Sequence, residues 1–65
     1  MKIVLNGEPV DTECHTLQEL LDFLEYEKSS VVTAINKEFV PSVERTSIEL
    51  HSGDLVEIIA PMSGG

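Results

Sequence analysis

Few groups in this chain of 65 residues can do chemistry, and the most distinctive are the last five, Pro61-Met62-Ser63-Gly64-Gly65. A glycine pair has no side chains and is thin and flexible enough to thread a narrow channel. Gly65 places an α-carboxylate with no neighbouring bulk at the tip, and a reference pKa near ~3.3–3.7 leaves it ionised at neutral pH. A carboxylate of this kind suits attack on the α-phosphate of ATP inside another enzyme. Pro61 fixes its own φ and lacks an N–H, so it discourages further strand pairing and marks where the folded body ends. Chain ends also fray, and Gly-Gly at an end has a bland reading as a scar or a loose terminus. The other sixty residues must decide between the two.

The remaining reactive side chains form no constellation. Cys14 and His15 are adjacent, and on a strand they would point to opposite faces, which spoils a thiolate–imidazole pair. Cys14, His15 and His51 are too few and wrongly spaced for a metal, so no metal site is expected. The chain has no G-x-x-x-x-G-K-[ST] loop and no G-x-G-x-x-G, hence no sign of its own nucleotide site. Twelve acidic residues without a cleft read as a solvated surface, not an acid–base pair. The backbone carboxylate of Gly65 is the one reactive group left.

Size and charge narrow the function classes. A single small domain buries only about 60% of the surface its unfolded chain exposes and has no room for a deep active-site cleft. That argues for a binding or carrier module over a self-contained enzyme. The formal net charge of -8, from four Lys+Arg against twelve Asp+Glu, excludes charge-driven binding to nucleic acid or to an anionic membrane. It fits either a solvated acidic surface or steering to a basic surface on a protein partner. One cysteine rules out an internal disulfide and points to a reducing compartment. Lys2-Ile3-Val4-Leu5 breaks at Asn6-Gly7 without a leader pattern, and the apolar runs are far too short to span a bilayer. A cytoplasmic location is expected.

The elements that must carry the tail follow from local signals. Asn6-Gly7 between apolar stretches is a hairpin turn, with strands over Met1–Leu5 and Glu8–Glu13, and Pro9 suits an edge strand. Thr16-Leu17-Gln18-Glu19 fits a capping box in which Thr16 accepts from Glu19 N–H and Glu19 reaches back to Thr16 N–H. Leu17, Leu20, Leu21 and Leu24 form one apolar helix stripe, with Phe23 at its edge and the helix ending near Tyr26–Lys28. Val31–Ile35 is a β-branched strand, Asn36-Lys37-Glu38 a turn, and Phe39-Val40 a short extended piece stopped by Pro41. Ser42–Thr46 reads as irregular with one loose helical turn. Ser47–Leu50 alternates as a short strand, His51–Asp54 is a turn, and Leu55–Ala60 is the last strand, running straight into the tail.

One amphipathic helix on one face of a mixed sheet buries the apolar faces of both. The fold class is therefore α+β, in the ubiquitin-like β-grasp arrangement, with the first and last strands side by side at the centre and residues 61–65 as a flexible tail on a single domain of residues 1–65. Period-two alternation turns Ile3, Leu5, Val56 and Ile58 toward the helix. Val4 and Ile59 then share the outer face as a partly apolar docking spot near the root of the tail.

With these residues in hand, the chain resembles the ThiS family, the sulfur carriers of thiamine biosynthesis. The likeness runs over essentially the whole length. It rests on the first strand with Asn6-Gly7, the helix start Thr16-Leu17-x-Glu19-Leu20-Leu21, Ala34-Ile35-Asn36 followed by Phe39-Val40-Pro41, the Gly53-Asp54 turn, and the terminal Gly64-Gly65. The resemblance implies the β-grasp fold and a protein co-substrate with no bound cofactor. An adenylyltransferase of the ubiquitin-activating type would bind the carrier, thread its tail and spend ATP on the Gly65 carboxylate. A persulfide sulfur donor would convert the acyl-adenylate to a thiocarboxylate, and thiazole synthase would receive the sulfur. Gly65 would carry the sulfur, Gly64 would allow close approach, Pro61, Met62 and Ser63 would be held by the partner, and Val4 and Ile59 would dock. The residue after Val-Pro is often basic in this family; here it is Ser42, and Arg45 lies three residues on as a substitute. The small subunit of molybdopterin synthase, another carrier, a protein-tagging modifier, and a plain β-grasp interaction module with an incidental Gly-Gly end are the alternatives.

Deleting Gly65 separates a carrier from an interaction module. A mobile tail contributes few buried contacts, so the deletion leaves the melting temperature close to that of the intact chain while carrier function is lost. A large fall in melting temperature would contradict a free tail.

Overall fold

The structure, a computed structural model, describes residues 1–60. β1 (Lys2–Leu5) and β2 (Glu8–Asp11) form the expected antiparallel hairpin. Its turn residues, Asn6 at φ 49° and Gly7 at φ 85°, are both left-handed, which is the type I′ geometry that matches strand twist. β2 stops at Asp11 and does not reach Glu13. Past the strand, Thr12 N–H still bonds the Met1 carbonyl at 2.9 Å, and Thr12 Oγ1 accepts from Cys14 N–H at 3.1 Å as the chain turns toward α1.

α1 (Leu17–Leu24) begins where the capping signal places it: Thr16 Oγ1 accepts from Glu19 N–H at 3.1 Å. The return arm differs from expectation, because the Glu19 carboxylate accepts from His15 N–H, at 2.7 Å. The Thr16 backbone faces Glu49 across an isolated bridge, and the carboxylate reaches the amide one residue earlier. Leu17, Leu20 and Leu21 are fully buried and Leu24 partly so. Phe23 does not cover the edge of this stripe; it is 73% exposed, since it sits about 100° round the helix from Leu24. The helix ends at Leu24, earlier than Tyr26–Lys28. Glu25 turns left-handed at φ 62°, and Tyr26 N–H closes on the Leu21 carbonyl at 3.1 Å, the Schellman pattern, with the Tyr26 side chain packed on the core. The Lys28 ammonium bonds the Asp22 carboxylate and holds that carboxyl below its usual range.

β3 (Val32–Ile35) and β4 (Glu38–Val40) form a second hairpin over Asn36 and Lys37, both left-handed at φ 51° and 71°, so Glu38 belongs to the strand and not to the turn. One 3₁₀ turn covers Ser42–Glu44. Ser47–Leu50 is not a strand of the sheet. Its alternation serves to bury Leu50 while the backbone crosses the start of α1, with Leu17 N–H on the Ile48 carbonyl at 3.0 Å and Leu50 N–H on the His15 carbonyl at 2.8 Å. β5 (Leu55–Ile59) closes the order.

The sheet runs β2-β1-β5-β3-β4, with β1 and β5 parallel and every other pair antiparallel. With α1 against one face, this is the ubiquitin-like β-grasp. The three leucines meet Ile3, Val31, Val40, Leu50, Val56 and Ile58 in one buried cluster. No helix among the described residues is long and apolar enough to cross a membrane.

Arg45 is the unexpected member of the interior. It is only 3% exposed, so it is not a surface substitute for a basic residue at Ser42. Its Nε donates to Thr33 Oγ1 at 3.1 Å, Nη1 to the Lys28 carbonyl at 2.9 Å and Nη2 to the Val31 carbonyl at 2.8 Å. The Thr33 hydroxyl donates in turn to the Val40 carbonyl at 2.9 Å. The planar fork thus ties the entry of β3 to the segment after β4, in a geometry a lysine cannot copy. Arg45→Met should destabilise the fold by about 2–4 kcal/mol, because buried acceptors lose their donors, and Arg45→Lys should recover only a minor part. Urea denaturation of the three proteins checks this; equal midpoints would contradict it.

Candidate functional site

β5 is the element that carries the chain toward its last five residues, so the site is built on it. Its side chains alternate as the sequence predicts. Val56 and Ile58 are buried against the leucine stripe, whereas Leu55, Glu57 and Ile59 face away, and Ile59 is 59% exposed. One side of β5 pairs with β3 from Ile35↔Val56 to Val32↔Ile59. The other side pairs with β1 only through Val4↔Leu55 and Leu5↔Val56, because β1 then enters its hairpin turn.

That register corrects the docking spot. Val4 and Ile59 lie on the same outer face but are not neighbours. Val4 sits opposite Leu55 on one side and Pro9 on the other. Ile59 is four residues further along β5, roughly 13 Å at strand rise, and its neighbour is Val32. The outer face therefore carries two apolar areas. One is Ile59 with Val32 at the exit of β5, with Phe39 further out on β4; the other is Val4 with Leu55 and Pro9. Val32, Phe39 and Leu55 are 45%, 67% and 40% exposed, and exposed Glu57 lies between the two areas, opposite Ala34.

Two asparagines grip β5. Asn6 donates its backbone N–H to the Val56 carbonyl at 2.9 Å; its Oδ1 accepts from Ile58 N–H at 2.9 Å and its Nδ2 donates to the Ile58 carbonyl at 3.1 Å. Asn36, from the other side, donates its N–H to the Leu55 carbonyl at 2.7 Å; its Oδ1 accepts from Leu55 N–H at 3.0 Å and its Nδ2 bonds the Asp54 carboxylate at 3.1 Å. Sequence reasoning took both residues as turn formers and missed these carboxamides. The only signal was the choice of asparagine where glycine would also turn the chain.

Pro61, Met62, Ser63, Gly64 and Gly65, all expected at the working end, lie outside the described residues. The other candidate groups do not converge. Cys14 is half-buried against the core, and His15 and His51 are exposed, the latter 3.9 Å from the Asp54 carboxylate. No group of three or more His, Cys, Asp or Glu among the described residues is arranged to hold a metal ion. A groove lined by Met1, Asp11, Glu13, Cys14, Glu19 and Phe23 lies beside the start of β1, at the opposite end of the sheet from the exit of β5.

Comparison with known proteins places this geometry. A family model described as the ThiS family matches residues 3–65. The sulfur carrier protein ThiS of Thermus thermophilus is 39% identical over 61 residues, covering 94% of this chain and 95% of the relative. The crystal structure of the thiamine biosynthesis protein (ThiS) from Geobacter metallireducens superposes with a TM-score of 0.86 at 26% identity, over the whole of both chains. A solution structure of a thiamine biosynthesis protein from the same organism gives 0.82 at 26% identity, covering all of this chain and 88% of the other.

Proposed function

The chain belongs to the ThiS family, and we propose that it works through the α-carboxylate of Gly65. It is a sulfur carrier of thiamine biosynthesis, a protein substrate of other enzymes and not itself a catalyst. The observation that carries the proposal is the family match, which runs through Gly64 and Gly65 to the last residue of the sequence. In the proposed cycle the Gly65 carboxylate attacks the α-phosphate of ATP within an adenylyltransferase of the ubiquitin-activating type. Pyrophosphate leaves and a carboxylate oxygen becomes part of an acyl-adenylate. The terminal sulfur of a persulfide donor then attacks the acyl carbon and AMP leaves. A second thiol cleaves the S–S bond of the acyl disulfide, forming a disulfide with the donor and freeing the thiocarboxylate on Gly65. Thiazole synthase is the recipient of that sulfur. ATP belongs to the activating partner, and the cycle runs in the cytoplasm.

The body contributes placement. A net charge of -8 suits a basic surface on the adenylyltransferase, and the outer face gives apolar contacts through Ile59 with Val32 and through Val4 with Leu55. Gly64 leaves room for close approach to the nucleotide, with Pro61, Met62 and Ser63 held along the channel.

The test is pyrophosphate release from ATP by the host's adenylating enzyme. The intact chain supports turnover, and removal of Gly65 abolishes it. Ile59→Asp raises KM for the carrier by about tenfold or more, as expected for a charge placed in a desolvated apolar contact, and leaves the melting temperature close to wild type. Equal turnover with and without Gly65 would refute the proposal.

A further inference from the structure

The Asn6 side chain makes bonds that a turn residue does not need. We propose that Asn6 is a positioning residue, whose carboxamide stands in for a peptide group, prolongs the β1–β5 ladder past the end of β1 and sets the direction in which the chain leaves β5 at Ala60. Its consequence for adenylation rests on the carrier reading above; the clamp itself is a property of the fold.

In a parallel ladder one residue donates its N–H to the neighbouring strand and accepts, through its own carbonyl, from an N–H two residues further on. Asn6 makes the first bond, to the Val56 carbonyl. The second would come from Ile58, but at φ 49° the Asn6 backbone has already turned into the hairpin. Oδ1 takes the place of the missing carbonyl at 2.9 Å, and Nδ2 supplies the next donor, to the Ile58 carbonyl at 3.1 Å. Ile58 is 4% exposed, so its peptide groups on this side need partners that water supplies poorly. The exit of β5 is thus held by β3 on one side, through Val32↔Ile59, and by one carboxamide on the other. Glycine would form the same turn, which leaves the clamp as the use of the side chain.

Asn36 is a built-in control. It occupies the first position of the same kind of turn and grips the same strand through its backbone N–H and Oδ1, but at Leu55, the end remote from Ala60, while its Nδ2 goes to the Asp54 carboxylate instead of a strand carbonyl. If the clamp positions the departing chain, loss of the carboxamide should matter for catalysis at Asn6 and not at Asn36.

The experiment compares Asn6→Gly with Asn36→Gly, well below either melting transition. The readouts are amide hydrogen exchange at Ile58 by NMR, and kcat and KM for pyrophosphate release with the host's adenylating enzyme. Asn6→Gly should speed Ile58 exchange and lower kcat by about tenfold or more with KM changed less than about twofold, since misplacing a reacting group by the order of 1 Å is costly. Asn36→Gly should leave the Ile58 amide and kcat near wild type. If Asn6→Gly does not fold, Asn6→Asp keeps the turn and Oδ1, sets a carboxylate oxygen against the Ile58 carbonyl in place of the Nδ2 donor, and gives the same comparison. An unchanged Ile58 exchange rate, or equal falls in kcat at the two positions, would overturn the proposal. A wild-type chain that releases no pyrophosphate would refute the carrier reading and not the clamp, which the exchange rates still decide.

Discussion

The central position of β5 is the constraint on which the rest of the structure depends. The strand is paired on both sides, and its Val56 and Ile58 are sealed against a helix. Parallel pairing of β1 and β5 requires a long connection, and within it α1 carries the chain across one face from edge strand β2 to β3, so the leucine stripe that makes the core also makes the topology possible. Because β5 is central, the described chain reaches Ala60 in the middle of the sheet and not at an edge. For the proposed carrier role this arrangement supplies a rigid body for partners to grip, ending beside the segment proposed to react.

The interior is closed with polar groups as well as apolar ones. Small domains have little core, and here Arg45 and Thr33 take positions that apolar residues could fill. Arg45 meets two carbonyls and a hydroxyl, so one of only four Lys and Arg residues is withdrawn from the surface. Another, Lys28, is paired with Asp22. The Lys28–Asp22 pair cancels one charge of each sign, so it is the burial of Arg45 that leaves the exterior more acidic than the composition alone suggests.

Local signals were legible in the sequence, and tertiary ones were not. The Asn6-Gly7 turn, the Thr16 cap, the leucine stripe and the alternation of β5 each depend on residues close in sequence, and each was read correctly, as was the β-grasp they assemble. Ser47–Leu50 misled because alternation reports one buried face and not what lies beside the backbone; those amides meet the start of α1, not a strand. Arg45 looked like a surface charge because its partners, Lys28, Val31 and Thr33, come from another part of the chain. Val4 and Ile59 share the outer face as expected but not one spot, because the register, which alternation along one strand does not encode, sets Val4 opposite Leu55 and Ile59 opposite Val32. The turn role of Asn6 was visible, whereas its grip on Ile58 exists only once β5 lies alongside.

The central claim is that Gly65 carries sulfur. Tandem mass spectrometry of the protein purified from its own cells under reducing conditions tests it most directly. The account predicts a fragment that places sulfur in exchange for one oxygen on the final glycine, with alkylation by a thiol reagent beyond the single site at Cys14. Localisation to a fragment matters, because oxidation of Met1 or Met62 changes the whole-protein mass by almost the same amount. A plain carboxylate at Gly65 in every molecule, even after incubation with ATP, a sulfur source and the host's adenylating enzyme, would contradict it.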